Sequence, residues 1–241
     1  MKIALLGHGN LGKEIERVVE ESGTHEIVSI SFEHTEDPLD IEGVKSADVV
    51  IDATSPEIVL ENIREVSKLG KNMVIATTGW YESLSEVEGI VNEAGIGLIY
   101  GQNFSIGANL FLQIVANSAK LISRFDYDVY GMEIHHTGKK DSPSGTALKV
   151  GQQILDNFPS KKRFQNERVN RQIEKDELHF ASIRGGRNPG FHQVVFDSEA
   201  DSITLSHSAH GRKGFAQGAV LAAEFIQDKK GVHTFDEVFK N

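Results

Sequence analysis

The chain has 241 residues, a formal net charge of -10, 25% charged and 39% hydrophobic residues, the balance of a globular protein with length for one large or two small domains. It has no cysteine, which removes disulfides and thiolate chemistry, and its acidity argues against nucleic acid as a partner. No segment approaches the roughly 18 apolar residues of a membrane span, and the opening apolar run breaks at Gly7, too short for a secretory leader. These features predict a cytoplasmic protein with no membrane partner.

Residues 2–6 read as a buried strand that runs into Gly7-His8-Gly9-Asn10-Leu11-Gly12, after which Leu11, Ile15, Val18 and Val19 recur at helical spacing. Strand, G-x-G-x-x-G and helix in that order is the context in which the glycine pattern binds a dinucleotide. The first glycine allows the tight turn, the second the approach of a pyrophosphate, the third close packing of helix on strand. A second strand, 25–32, ends at Glu33, close to the roughly 20-residue offset of a carboxylate that accepts hydrogen bonds from ribose hydroxyls. Such a carboxylate repels a 2′-phosphate, so NADH is favoured over NADPH; the plainer reading is a polar residue at a strand end.

Residues 49–53 are near-continuously apolar, as a parallel strand buried on both faces should be. Ser55 then reads as a helix N-cap with Pro56 at the first helical position, and Val59, Ile63 and Val66 as the buried stripe. A fourth strand, 73–76, leads to Thr77-Thr78-Gly79-Trp80. A helix carrying Leu84, Val87 and Val91 follows, then a fifth strand, 97–100, and Gly101-Gln102-Asn103-Phe104-Ser105. This alternation predicts a Rossmann-like doubly wound parallel sheet over residues 1–104, with ligands at the loops after the strands.

Beyond Asn109 the pattern changes. Leu110, Ile114, Val115 and Leu121 suggest a helix, and 127–134 alternates like a strand with one buried face, delivering His135 and His136 at its end. Glu133 to Ala147 reads E-I-H-H-T-G-K-K-D-S-P-S-G-T-A. The histidines exchange protons near neutral pH, and Lys139 and Lys140 add fixed charge. Ser144-Gly145-Thr146 opens a helix, carried on by Val150, Ile154 and Phe158, whose free N–H groups suit an anion. The set fits a small dianion that must be protonated; a solvated polar turn is the bland alternative. Residues 159–177 are highly charged and predicted to be a solvated loop with little regular structure. Three successive strands, 178–184, 191–196 and 202–207, predict an open mixed sheet in a C-terminal α+β domain, and Phe215, Ala219, Ala222 and Ile226 define a closing helix.

The 133–147 stretch resembles E-[hydrophobic]-H-H-x-x-K-x-D-x-P-S-G-T-A, the signature of the 4-hydroxy-tetrahydrodipicolinate reductase family. Ala76-Thr77-Thr78-Gly79 is similar to the family's (A/G)-T-T-G loop and Gln102-Asn103-Phe104-Ser105 to its N-F-S segment. H-S-A-H-G-R-K-G-F-A-Q-G-A, from His207, is similar to H-x-A-x-x-R-x-x-F-A-x-G-A. The resemblance covers essentially the whole chain. It implies NAD(P)H-dependent reduction of 4-hydroxy-tetrahydrodipicolinate to tetrahydrodipicolinate in the diaminopimelate route to lysine. In that reading His135 is the general acid, and Lys139 a second catalytic cation assisting proton transfer and loss of the 4-hydroxyl. His136, Ser144, Gly145, Thr146 and Arg212 grip the substrate carboxylates. Gly7, Gly9, Asn10, Leu11, Gly12, Glu33, Ala76, Thr77, Thr78, Gly101, Gln102, Asn103 and Phe104 bind the cofactor.

The resemblance also implies a cofactor domain of residues 1–104 completed by 213–241, and a substrate and oligomerisation domain of 105–212, hinged near Phe104–Ser105 and after Arg212. Members of the family form homotetramers, some dimers. The compact G-H-G-N-L-G departs from the longer G-x-x-G-R-M-G of many relatives and does not decide the cofactor preference; His34 stands where many relatives carry arginine, which favours NADH. Lys140 reads as a surface charge and Asp141 as a turn residue fixed by backbone hydrogen bonds. Three rivals are a metal site of His135, His136, His207 and His210, a non-catalytic dinucleotide sensor, and a dehydrogenase of another oxo or imino acid. Adjacent strand-end histidines point apart, which disfavours the first. The sensor leaves 133–147 idle.

Overall fold

The computed structural model describes residues 1–32 and 38–240 and divides into two compact units, residues 1–106 with 212–241 and residues 107–211. The first unit contains β1 (Lys2–Leu6), α1 (Asn10–Ser22), β2 (Glu26–Ser31), α2 (Ile41–Ser46), β3 (Val49–Asp52), α3 (Val59–Lys68), β4 (Asn72–Ile75), α4 (Leu84–Ala94) and β5 (Gly97–Tyr100). After the second unit, whose first helix, α5 (Ile106–Ile122), begins at the boundary, the chain returns. The second unit continues with β6 (Asp128–His135), α6 (Gly145–Asn157), β7 (Arg163–Gln165), β8 (Glu177–Arg184), β9 (Phe191–Asp197) and β10 (Ser202–Ser208). The returning segment supplies α7 (Lys213–Ile226) and β11 (Gly231–Thr234) to the first unit.

The first sheet has the order β11-β5-β4-β3-β1-β2, with every pairing parallel. Alternation along β1 sends Ile3 and Leu5 to one face, under α1 and α7, and Ala4 and Leu6 to the other, under α2, α3 and α4. Both faces are covered, which is why β3 and β4 are apolar without alternation. The doubly wound sheet expected from the sequence is present. The C-terminal segment is docked by the buried Asn72, whose amide donates to the carbonyls of Ile226 at 2.7 Å and Gln227 at 3.0 Å and whose carbonyl accepts from Gly97 N at 2.7 Å.

The second sheet is mixed, β10-β9-β6-β8-β7. β6 runs parallel to β8 and antiparallel to β9, β9 antiparallel to β10, and β7 parallel to β8. α5 and α6 cover one face through Phe111, Val115, Val150 and Ile154, packed on Val129, Phe180, Val194 and Phe196. Leu110, Ile114 and Leu121 of α5 lie on its exposed side; the helix is apolar all round, so periodicity alone did not tell its faces apart.

Two local expectations need correcting. α3 begins at Val59, because Ile58 and Val59 N–H groups both donate to the Ser55 carbonyl and make 56–58 a lead-in turn, so Pro56 is not its first residue. Residues 159–177 are also more than a solvated loop. They contain β7, and Lys161, only 3% exposed, donates to the carbonyls of Lys175 and Glu177 and pairs with Asp128. A lysine with its partners supplied inside is stable where its charge pattern alone reads as solvent-facing.

Candidate active site

In the first unit the predicted cofactor residues gather at the carboxyl ends of β1, β4 and β5, where ligands of open α/β sheets bind. Gly7 has φ +89°, and a Cβ there would lie 2.7 Å from the Ala53 carbonyl; a Cβ on Gly12 would lie 2.1 Å from the Gly7 carbonyl. The turn is therefore built for glycine at both positions. Gly9 is the N-cap of α1 and brings no capping side chain, so the N–H groups of Asn10, Leu11 and Gly12 open a helix without one. A Cβ at Gly9 would meet nothing within 4 Å. Open space in front of uncapped N–H groups fits the pyrophosphate of a dinucleotide. Glu33 and His34 lie outside the described residues.

The other predicted cofactor residues are held from behind. Asp52, fully buried at the end of β3, accepts from Thr54 N (3.1 Å), Thr54 Oγ1 (2.8 Å), Asn62 Nδ2 (2.7 Å) and Thr77 Oγ1 (2.6 Å). Burial pushes its carboxyl up from the ordinary range, and these donors pull it back. Ala76 is half-buried, Thr78 and Gly79 are exposed, and the Thr77 carbonyl accepts from the Trp80 indole at 2.9 Å. After β5, the half-buried Gly101 and exposed Gln102 precede Asn103, whose Oδ1 accepts from Ser105 N at 2.8 Å. The Phe104 ring is buried against Phe235, centroids 4.6 Å apart, and so is a core residue. Arg212 falls in this unit as the N-cap of α7, whereas the sequence reading grouped it with the substrate residues of the other domain.

In the second unit, alternation along β6 turns Val129, Gly131, Glu133 and His135 inward. The ladder sets Glu133 opposite His192 of β9 and Ser182 of β8, with His135 opposite Arg184 and His207 opposite His192. Glu133 is wholly buried, and its Oε1 accepts from Ser144 N (2.9 Å), Ser182 Oγ (2.8 Å) and Arg184 Nη2 (2.9 Å). Burial alone would raise its carboxyl; the donors around it win and hold it well below the usual range. Its Oε2 lies 3.0 Å from His135 Nδ1 and 3.6 Å from His192 Nε2.

His135, the last residue of β6, is 7% exposed, and burial pushes its imidazole down to about 4 while the Glu133 carboxylate pulls it up. His136 is exposed beyond the strand, its N–H bonded to the Asn188 carbonyl at 2.8 Å. Lys139, half-buried, donates to Asp141 Oδ1 at 2.8 Å, and the Asp141 carbonyl accepts from Arg184 at 2.7 Å. Asp141 thus acts through the Lys139 ammonium as well as the backbone, and that ammonium holds its carboxyl low. Lys140 is exposed.

Ser144 caps α6, its hydroxyl accepting from Ala147 N at 3.1 Å and lying 3.2 Å from His192 Nε2, and is 2% exposed. Its side chain supports the turn from inside, while Gly145 and Thr146 begin the helix and Gly145 faces open space.

Sequence reasoning missed Asp52, Glu133 as a buried acid, Arg184 and His192. For Glu133 the signal was legible: it shares the inward phase of Val129 and Gly131. His192 and Arg184 had none, since only strand pairing brings them to β6. Glu133, His135 and His192 place donor atoms within 4.8 Å of one another, a set the sequence reading did not assemble. The Arg184 guanidinium already supplies the positive partner a cation would bring there.

Residues 1–104 match the family profile "Dihydrodipicolinate reductase, N-terminus" and residues 107–239 "Dihydrodipicolinate reductase, C-terminus". The 4-hydroxy-tetrahydrodipicolinate reductase of Christiangramia forsetii is 37% identical over 248 residues, covering 100% of each chain, and that of Caldanaerobacter subterraneus 35% identical over 254, covering 100% of this chain and 99% of the other. A dipicolinate-bound dihydrodipicolinate reductase from Paenisporosarcina sp. TG-14 shares the fold with a TM-score of 0.77 at 24% identity over 97% of each chain. The chain belongs to the dihydrodipicolinate reductase family and is an oxidoreductase of lysine and diaminopimelate biosynthesis.

Proposed function

We propose that in the reduction of 4-hydroxy-tetrahydrodipicolinate to tetrahydrodipicolinate His135 is the general acid, with Lys139 as the second catalytic cation. The observation that carries this is the buried imidazole at the end of β6, backed by a carboxylate and followed within one short loop by an ammonium and a helix N-terminus. A bound reduced nicotinamide dinucleotide supplies the hydride. The electron density that reaches the ring with it is quenched when an N–H bond of the His135 imidazolium breaks, its electron pair staying on the imidazole. Alone, His135 is largely neutral at pH 7; a dianion arriving beside it favours the charged ring and raises its proton affinity. His136 and the N–H groups of Gly145 and Thr146 hold the substrate carboxylates. Lys139 trades Asp141 for the substrate and gives a proton to the 4-hydroxyl as its C–O bond breaks, so that water leaves; the neighbouring ring C–H bond supplies the electron pair of the new C=C bond and its proton returns to the Lys139 amine.

Within this reading NADH is favoured over NADPH, on the sequence argument from Glu33. The face of the second sheet turned away from α5 and α6 carries Tyr130 and Ile183, 44% and 46% exposed, and supports assembly through that face into a homotetramer or dimer. The compartment we assign is the cytoplasm. Among the described residues no helix is long and apolar enough to cross a membrane.

The test is a coupled assay in which pyruvate and aspartate semialdehyde are condensed by the upstream synthase and nicotinamide absorbance is followed. Absorbance should fall with NADH, more slowly with NADPH, and only with the synthase present; Glu33→Ala should weaken NADH more than NADPH. No loss with either cofactor would remove the substrate assignment, and equal effects of Glu33→Ala would remove Glu33 from its role.

A further inference from the structure

The Glu133 carboxylate is unusual in how unequally its two oxygens are served. Oε1 takes three donors, Ser144 N at the start of α6 and Ser182 Oγ and Arg184 Nη2 on β8, which hold the group from two sides. Oε2 is buried and has no hydrogen-bond partner among the described residues, although His135 Nδ1 lies 3.0 Å from it and is itself buried and unpartnered. The pair is at bonding distance but misaligned, so closing the bond takes a rotation of the imidazole. A buried carboxylate oxygen left without a donor is costly, which drives that rotation.

Two further contacts limit the ring. The His192 ring meets it edge-on at 5.2 Å between centroids. On the other side a Cβ at position 190 would come within 3.1 Å of His135 Nε2, so Gly190 leaves room for that edge of the ring.

We propose that Glu133 is the positioning residue of the reaction: its Oε2 holds the proton on His135 Nδ1, so that Nε2 is the atom that delivers a proton, with His192 fixing the plane of the ring. The inference rests on His135 being the acid. After transfer the imidazole keeps its Nδ1 proton, directed at Glu133, and Nε2 carries the free electron pair; the carboxylate never takes the proton, because Arg184 and its other donors keep it ionised. The charged and titratable groups around the ring are Glu133 on its own strand, Arg184 on β8, His192 on β9 and Lys139 on the following loop. Glu133 alone among them favours the imidazolium.

The experiment combines kinetics with nitrogen NMR of ¹⁵N-histidine-labelled protein, the His135 signals identified by their loss in His135→Gln. In the unsubstituted protein His135 should be the Nδ1–H tautomer at neutral pH; an Nε2–H tautomer overturns the proposal without any need for a Glu133 variant. Glu133→Gln should lower kcat at least about tenfold at pH 7.5, the effect of one unit on the protonated fraction of the acid, with KM and cofactor affinity changed less than about twofold. That deficit should shrink as the pH is lowered, and Glu133→Asp should recover part of the rate. If His135→Gln is inactive but Glu133→Gln keeps the original pH profile and nitrogen shifts, the positioning role is wrong. If His135→Gln still turns over, the assignment of the acid itself is wrong.

Discussion

The Thr77 hydroxyl donates to the buried Asp52 carboxylate at 2.6 Å, tying the loop after β4 to the end of β3. Both loops belong to the first unit, and the T-T-G segment takes its position from this bond. The same carboxylate accepts from Asn62 on α3, on its other oxygen.

Thr77→Val removes one donor from a buried acid and should cost about 1–3 kcal/mol in urea unfolding. Asp52 is raised in the folded state, so its favourable contribution exists below the ordinary carboxyl value of 3.8 and is lost as pH rises through the folded value. Losing a donor raises it further, so the deficit of Thr77→Val should grow from acid to neutral pH. Asn62→Ala should show a similar stability loss but a smaller loss of dinucleotide affinity in a fluorescence titration. Equal affinity losses would mean that the loop is not what Asp52 secures.

His135→Gln should reduce kcat by about 100-fold or more while leaving NADH affinity within twofold, the size expected for removal of a general acid. Lys139→Met should reduce both kcat and substrate affinity, and raising the salt concentration should narrow its difference from the unsubstituted protein in KM. Single-turnover absorbance traces separate these two outcomes from slow cofactor release.

The Arg171–Glu177 pair predicts acid behaviour. Arg171 bonds both oxygens of Glu177, and chiefly that contact pushes Glu177 down to about 2 from an ordinary 4.5. A lowered carboxyl contributes stability that is present above 4.5 and lost as pH falls through about 2. Arg171→Met should therefore be less stable at pH 6, with the gap closing between pH 4.5 and 2. A gap constant with pH would show that the side chain matters by packing alone.

Ile183→Asp places a charge on the open face of the second sheet. Light scattering should show a smaller assembly than the unsubstituted chain forms, with circular dichroism unchanged. An unchanged mass would exclude that face as the subunit contact.

Over residues 1–104 the order of elements apart from α2 followed from the sequence, because the strands there are short apolar runs and α1, α3 and α4 carry 3.6-residue stripes; the six-residue α2 is too short to show one. His135, Lys139 and the Ser144-Gly145-Thr146 turn lie within twelve residues of one another, so they too were legible as one motif. What only tertiary structure decided is what stands behind them. Ser182, Arg184 and His192 reach Glu133 from strands about fifty to sixty residues away, by a ladder register that no local pattern specifies. β11 likewise takes its place beside β5 only by docking, through Asn72 and the end of α7. Local periodicity reports which face of an element is buried; it carries no information on which distant residue meets it there, and the buried polar contacts depend on that pairing.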